Sequence, residues 1–164
     1  MNSRVLFLDY DGVVNTLMWN EKGTKTSYNF PKDGKVNHFQ AVQWVSAFCL
    51  KCKYDIVVTS TWREERNYKE CLINGGLREG IEILGCTELT DDKTRGEEIQ
   101  DYLNEHPEIK QYIIVDDEDD FLPEQQSHFV KVDGNYGFLE PEYKKCINLY
   151  MKFQSGKKAK TTQN

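Results

Sequence analysis

No apolar run in this 164-residue chain approaches the roughly 18 residues that a bilayer-spanning helix needs. A helical membrane span is therefore not expected, and neither is a membrane partner. The opening stretch MNSRVLFLDYDG has no secretory-signal layout, because charges interrupt its apolar segment at once, so the expected location is the cytoplasm. An excess of positive charge is also missing. Lys and Arg number 21 against 27 Asp and Glu, a net charge of -6. That balance argues against generic electrostatic binding to nucleic acid, which is expected only as a substrate. A disulfide framework is lacking too: five cysteines at irregular spacing suit reduced thiols. The lone CLKC (Cys49 to Cys52) has no second ligand pair for zinc and shares a helical face with Phe39, Val42 and Val45, which marks a core. His38, His106 and His128 have neither ligand spacing nor a nucleophile partner, so they read as structural. With no internal repeat or linker, one domain is expected over 1–154, followed by a polar, basic tail over 155–164.

What is present begins with VLFLDYDGVVN. Four apolar residues, Val5 to Leu8, look like a strand buried on both faces, as in a parallel sheet. Asp9 and Asp11 fall where that strand ends, and Gly12 permits a sharp turn or a close approach. Two carboxylates so near each other call for a positive partner, most simply a divalent cation. Farther on, apolar runs alternate with helical patterns. Helix is expected over about Val36 to Cys52, strand over Tyr54 to Thr59, and helix through WREERNYKECLINGG to Gly75 and Gly76. A weaker strand is expected in GIEILGC. Next comes a helix opened by Thr94 and Glu97 at capping-box spacing and closed before Pro107. QYIIVDD and HFVKVD read as strands, and a last helix is expected from Pro141 to Phe153. The polar stretch 16–35 reads as a small hairpin. This alternation predicts an α/β fold, with a mostly parallel sheet and helices on both faces, whose site lies at the carboxyl ends of the strands.

The unusual polar residues gather at those ends: Asp9 and Asp11, then Thr59, Ser60 and Thr61, then Asp116 and Asp117. A carboxylate can attack phosphorus, a second can donate and accept the proton, and a hydroxyl can bind a phosphoryl oxygen. A cation in the first turn of a helix, such as Arg95, can offset the anionic charge.

FLDYDGVVN, IVVTSTWR, TRGEEI and IIVDDEDD, in that order, resemble the four motifs of the haloacid dehalogenase (HAD) superfamily of phosphohydrolases. The resemblance spans about residues 4 to 120 and looks most like the small, capless members, some of them related to nucleic-acid repair phosphatases. It implies a HAD-like Rossmannoid three-layer sandwich with a minimal hairpin cap. It also implies Mg²⁺ as cofactor, held by Asp9, Asp11 (through its backbone carbonyl), Asp117 and, in support, Asp116. By position Asp9 matches the nucleophile and Asp11 the general acid/base. The phosphate-binding hydroxyl is open among Thr59, Ser60 and Thr61, with Ser60 preferred. Arg95 is preferred to Lys93 as the basic residue. Arg63 either reaches substrate or pairs with Glu64 or another surface acid. Tyr10, Trp19 and Tyr28 either wall the substrate or simply pack the hairpin. The activity implied is an Mg²⁺-dependent phosphomonoesterase working through an aspartyl-phosphate. Its phosphorylated substrate can be large if the site is uncapped. The alternatives are a nucleotide or polynucleotide-end phosphatase, or a binding module that keeps the fold without turnover. Oligomeric state is not legible.

Overall fold

The computed structural model describes residues 3–15, 40–64 and 67–161, with side chains through residue 156. Its sheet holds β1 (Arg4–Leu8), β2 (Asp55–Val58), β3 (Ile83–Cys86), β4 (Gln111–Asp116) and β5 (Phe129–Lys131). The spatial order is β3-β2-β1-β4-β5 and every pairing is parallel, so the expectation of a mostly parallel sheet is exceeded.

The apolar run of β1 is explained by its two buried faces. Val5 and Phe7 pack on one side with Val57, Ile114 and Phe121. Leu6 and Leu8 pack on the other with Ile56, Val58, Ile113 and Val115. Helices α1 (Gln40–Cys52), α2 (Tyr68–Asn74) and α4 (Glu140–Thr161) cover that second face through Val42, Val45, Phe48, Leu72 and Cys146. Helix α3 (Arg95–Glu105) covers the first face through Ile99. The result is a three-layer α/β sandwich. Burying Val5, Leu6, Phe7 and Leu8 contributes on the order of 1.5–3 kcal/mol each and fixes the height at which Asp9 leaves the sheet.

Register sets the site. Leu8 lies opposite both Val58 and Val115, so Asp9, Thr59 and Asp116 emerge at one level on three adjacent strands. Asp9 N–H donates to the Val115 carbonyl at 3.1 Å, and Thr59 N–H donates to the Leu8 carbonyl at 3.0 Å.

Three expectations need amending. The stretch from Trp62 to Asn74 is not one helix: a 3₁₀ turn over Thr61–Glu64 precedes the separate α2. Helix α4 does not stop near Phe153 but continues to Thr161, into the stretch expected to be a tail. β5 is shorter than HFVKVD suggested, because pairing with β4 ends at Lys131. The hairpin over 16–35, with Trp19 and Tyr28, and the first turn expected for α1 lie outside the described residues. No helix among the described residues is long and apolar enough to cross a membrane.

Candidate active site

Asp9 is nearly buried at the end of the central strand. The chain then turns tightly, with the Tyr10 carbonyl accepting from the N–H groups of Val13, Val14 and Asn15 at 2.8–3.1 Å. Gly12 makes that turn with φ +76°, a conformation that L side chains rarely adopt. Asp11 is half-buried, and both its oxygens are engaged. Asn15 Nδ2 donates to Oδ1 at 2.7 Å and Trp62 Nε1 donates to Oδ2 at 2.9 Å. Tyr10, between the two acids, is fully buried, and its hydroxyl donates to the Tyr68 carbonyl at 2.8 Å. It therefore packs beneath the site and does not wall it.

The acids of β4 divide by environment. Asp116 is fully buried and Asp117 half-buried, whereas Glu118, Asp119 and Asp120 face solvent. Arg95, the first residue of α3, reaches across to the acids: its Nη1 lies 2.7 Å from Asp9 Oδ1 and 3.1 Å from Asp116 Oδ2. The start of α3 is fixed by a complete capping box, in which Thr94 accepts from Glu97 N–H while the Glu97 side chain accepts from Thr94 N–H. Asp120 Oδ2 additionally accepts from Arg95 N–H at 3.2 Å. Burial, and after it the neighbouring Asp9 charge, pushes the Asp116 carboxyl up to about 7 against the pull of Arg95. The same two causes raise Asp117. Arg95 is held above its usual value, since the attraction of Asp116 and Asp9 outweighs the opposing effect of burial.

The end of β2 supplies the hydroxyls. Thr59 and Ser60 are fully buried, and Thr59 Oγ1 has no hydrogen-bond partner among the described residues. Among the described residues Ser60 Oγ accepts only a long bond, 3.4 Å, from Trp62 N–H. Arg63 turns inward and not to the surface. Its Nη2 is 2.6 Å from Glu98 Oε2 on α3, and both side chains are only 4% exposed. Lys93 points elsewhere: it pairs with exposed Asp101 at 2.5 Å.

Asp9, Asp11, Gly12, Ser60, Thr61, Arg95, Asp117 and Glu118 line one cavity of about 240 Å³. The preferred residues from all four motifs are thus brought together, whereas Thr59, Arg63 and Lys93 do not line that cavity. Asp9, Asp116 and Asp117 each offer a carboxylate oxygen, all within 4.8 Å of one another. Asp116 Oδ2 is buried and, among the described residues, has no aligned hydrogen bond beyond its ion contact with Arg95. An oxygen-only donor set with an orphaned anionic atom fits a hard divalent cation. Such a cation would favour the ionised carboxylates that burial and like charge oppose. The Asp11 carboxylate, held by Asn15 and Trp62, stands outside this trio. Two glycines make room for Asp117. A Cβ on Gly12 would sit 2.2 Å from its Oδ2, and one on Gly134 would sit 2.5 Å away.

Asn15, Trp62, Glu98, Asp120 and Gly134 went unnoticed in the sequence. Asn15 closes DYDGVVN four residues after Asp11, Trp62 lies inside STWR, Glu98 inside TRGEEI and Asp120 at the end of IIVDDEDD, so each of these four sat within a motif without a role of its own. Glu98 finds its partner across the fold, and Gly134 lies in no motif and carries no local signal.

A family model described as the HAD domain in Swiss Army Knife RNA repair proteins matches residues 5–143. No curated protein and no solved structure matches significantly. The model's extent spans β1 to the start of α4 and includes every cavity-lining residue, and with the parallel sheet that carries them it makes this chain a member of the HAD superfamily.

Proposed function

We propose that the protein is an Mg²⁺-dependent phosphomonoesterase whose nucleophile is Asp9. The observation that carries this reading is one small anionic cavity receiving a carboxylate pair from β1, a serine from β2, an arginine from α3 and an aspartate from β4. Membership of a HAD family points to the same chemistry.

In this reading Asp9 attacks phosphorus in line, while Arg95 and Ser60 hold the phosphoryl oxygens. Asp11, oriented by Asn15 and Trp62, protonates the leaving alcohol. The aspartyl-phosphate formed on Asp9 is then hydrolysed by a water that Asp11 deprotonates. Asp9, Asp116 and Asp117 would hold Mg²⁺, with the Asp11 carbonyl beside them. When bound, the ion neutralises the charge that otherwise repels an anionic substrate from an anionic nucleophile. At about 240 Å³ the cavity is below the usual range of small-molecule sites, so it suits a phosphoryl group whose alcohol lies outside.

That geometry and the RNA repair proteins named in the family description favour a phosphate at an RNA end as substrate. The decisive assay compares RNA oligonucleotides carrying terminal phosphates with nucleotides and small phosphoesters, in Mg²⁺ and in EDTA. Asp9→Asn is expected to keep the fold and lose turnover by roughly 10³-fold or more. Wild-type rates from that variant would remove Asp9 as nucleophile. Preference for RNA ends should show a steep fall with salt, whereas a small-metabolite enzyme should not.

A further inference from the structure

We propose that the buried Arg63–Glu98 pair is a positioning device that locks the hydroxyl-bearing end of β2 to the start of α3, and so fixes Ser60 relative to Arg95. The inference rests on the phosphatase reading above and concerns residues that touch neither substrate nor metal in it.

The contacts define the clamp. Arg63 Nη1 donates to the Thr59 carbonyl, Arg63 N–H donates to the Ser60 carbonyl at 3.0 Å, and Nη2 reaches Glu98 Oε2 at 2.6 Å. Glu98 in turn accepts at Oε1 from Thr90 N–H, 3.2 Å away, in the loop that leads into α3. Glu98 stands three residues after Arg95, about one turn along the helix. One arginine thus grips the backbone of two consecutive β2-end residues. One glutamate grips both the helix that carries Arg95 and the loop before it. The two are separated by 35 residues in sequence and meet only in the fold.

Neither of the simpler roles fits. A direct substrate contact needs a place on the cavity wall, and neither Arg63 nor Glu98 lines the cavity that Asp9, Ser60 and Arg95 share; the guanidinium and carboxylate face each other instead. A pure stability device is an uneconomical explanation, because burying two charges costs desolvation that is recovered only when every remaining donor is satisfied. Here Arg63 Nε has no partner among the described residues. What the pair provides that an apolar contact cannot is direction. A guanidinium fork bonds two acceptors at set angles and transmits the position of α3 to the Ser60 loop.

The test uses the full chain with p-nitrophenyl phosphate and Mg²⁺. The double variant R63M/E98M replaces the pair with apolar side chains of similar length, a change that buried ion pairs often tolerate without loss of stability. It is expected to keep the wild-type melting temperature and calorimetric Mg²⁺ affinity while kcat falls about 10- to 100-fold. R63K retains the charge but not the fork and should fall nearly as far. E98Q keeps the shape and one acceptor oxygen, and should lose less. A folded R63M/E98M or E98Q with wild-type kcat, alongside an R63K that is likewise unaffected, would overturn the clamp. Amide exchange reads the clamp without turnover. In R63M/E98M the Thr59–Trp62 and Thr90–Gly96 amides should lose protection together, and unchanged protection there also overturns the proposal. If the wild type hydrolyses no phosphoester, the phosphatase reading fails on its own, and the exchange result still decides whether the two segments are locked.

Discussion

Asp117 owes its place to what its neighbours lack. Its carboxylate occupies space that a methyl group on Gly12 or Gly134 would fill, and Gly12 also holds a positive φ. Gly12→Ala therefore meets two penalties: backbone strain of about 1–2 kcal/mol and displacement of a carboxylate from the acidic trio. The expected outcome is a lower midpoint in urea together with Mg²⁺ binding weakened by roughly tenfold. Stability loss without any change in calorimetric Mg²⁺ affinity would mean that Asp117 is not a ligand. At this scale the sequence was half transparent. Asp9, Asp11 and Gly12 could be picked out because they fall within four residues of one another and follow an unbroken apolar strand. Gly134 could not, since its role depends on a loop after β5 folding back over residues from β1 and β4. Arg63 was visible but its direction was not. Nothing nearby in sequence distinguishes an arginine facing solvent from one that finds Glu98.

Among the elements, α3 has the clearest local code and the least comfortable start. Thr94 and Glu97 announced the capping box, and the box is there. Arg95 at the first helical position opposes the helix dipole, and the cost is offset by Asp9, Asp116 and the exposed Asp120. Thr94→Ala should lower stability by about 1 kcal/mol in urea unfolding with an unchanged slope. The element that misled is the segment after β2. Its residues are good helix formers, yet helix gives way to a 3₁₀ turn, from which Trp62 reaches Asp11 and Arg63 reaches Glu98. Tertiary hydrogen bonds outweighed local propensity there. In α4 the opposite held: a lysine-rich stretch that looked like a tail carries the helix onward to Thr161.

For the molecule as a whole, the layered α/β plan could be read from the alternation of apolar strands and amphipathic helices, whereas strand order could not, since it is set by long-range pairing. The core on the α1 and α4 side holds ionisable groups in their neutral forms. Burial pushes the Cys52 thiol up to about 11 and raises Cys49, Cys146, Tyr10 and Tyr54 well above their ordinary values. Between the unfolded and folded values the native state binds more protons, so stability must fall as pH rises. Above about pH 7, where the raised Asp116 carboxyl has given up its proton, these thiols and phenols set the slope, so unfolding free energy is expected to decline beyond about pH 8.5 as the unfolded thiols and then the phenols ionise. Urea titrations from pH 7 to 11 would show this, and a flat profile would contradict the buried, neutral core.

β1 sits in the middle of the sheet, between a neighbour made later in synthesis and another made later still. A growing polypeptide therefore presents Asp9 to the cell well before Asp116 and Asp117 exist, by about 5 to 20 seconds at ordinary elongation rates. Through most of that interval Asp9 stands without Arg95, and until its end without Asp116 and Asp117, so the acidic trio cannot assemble before β4 has been made.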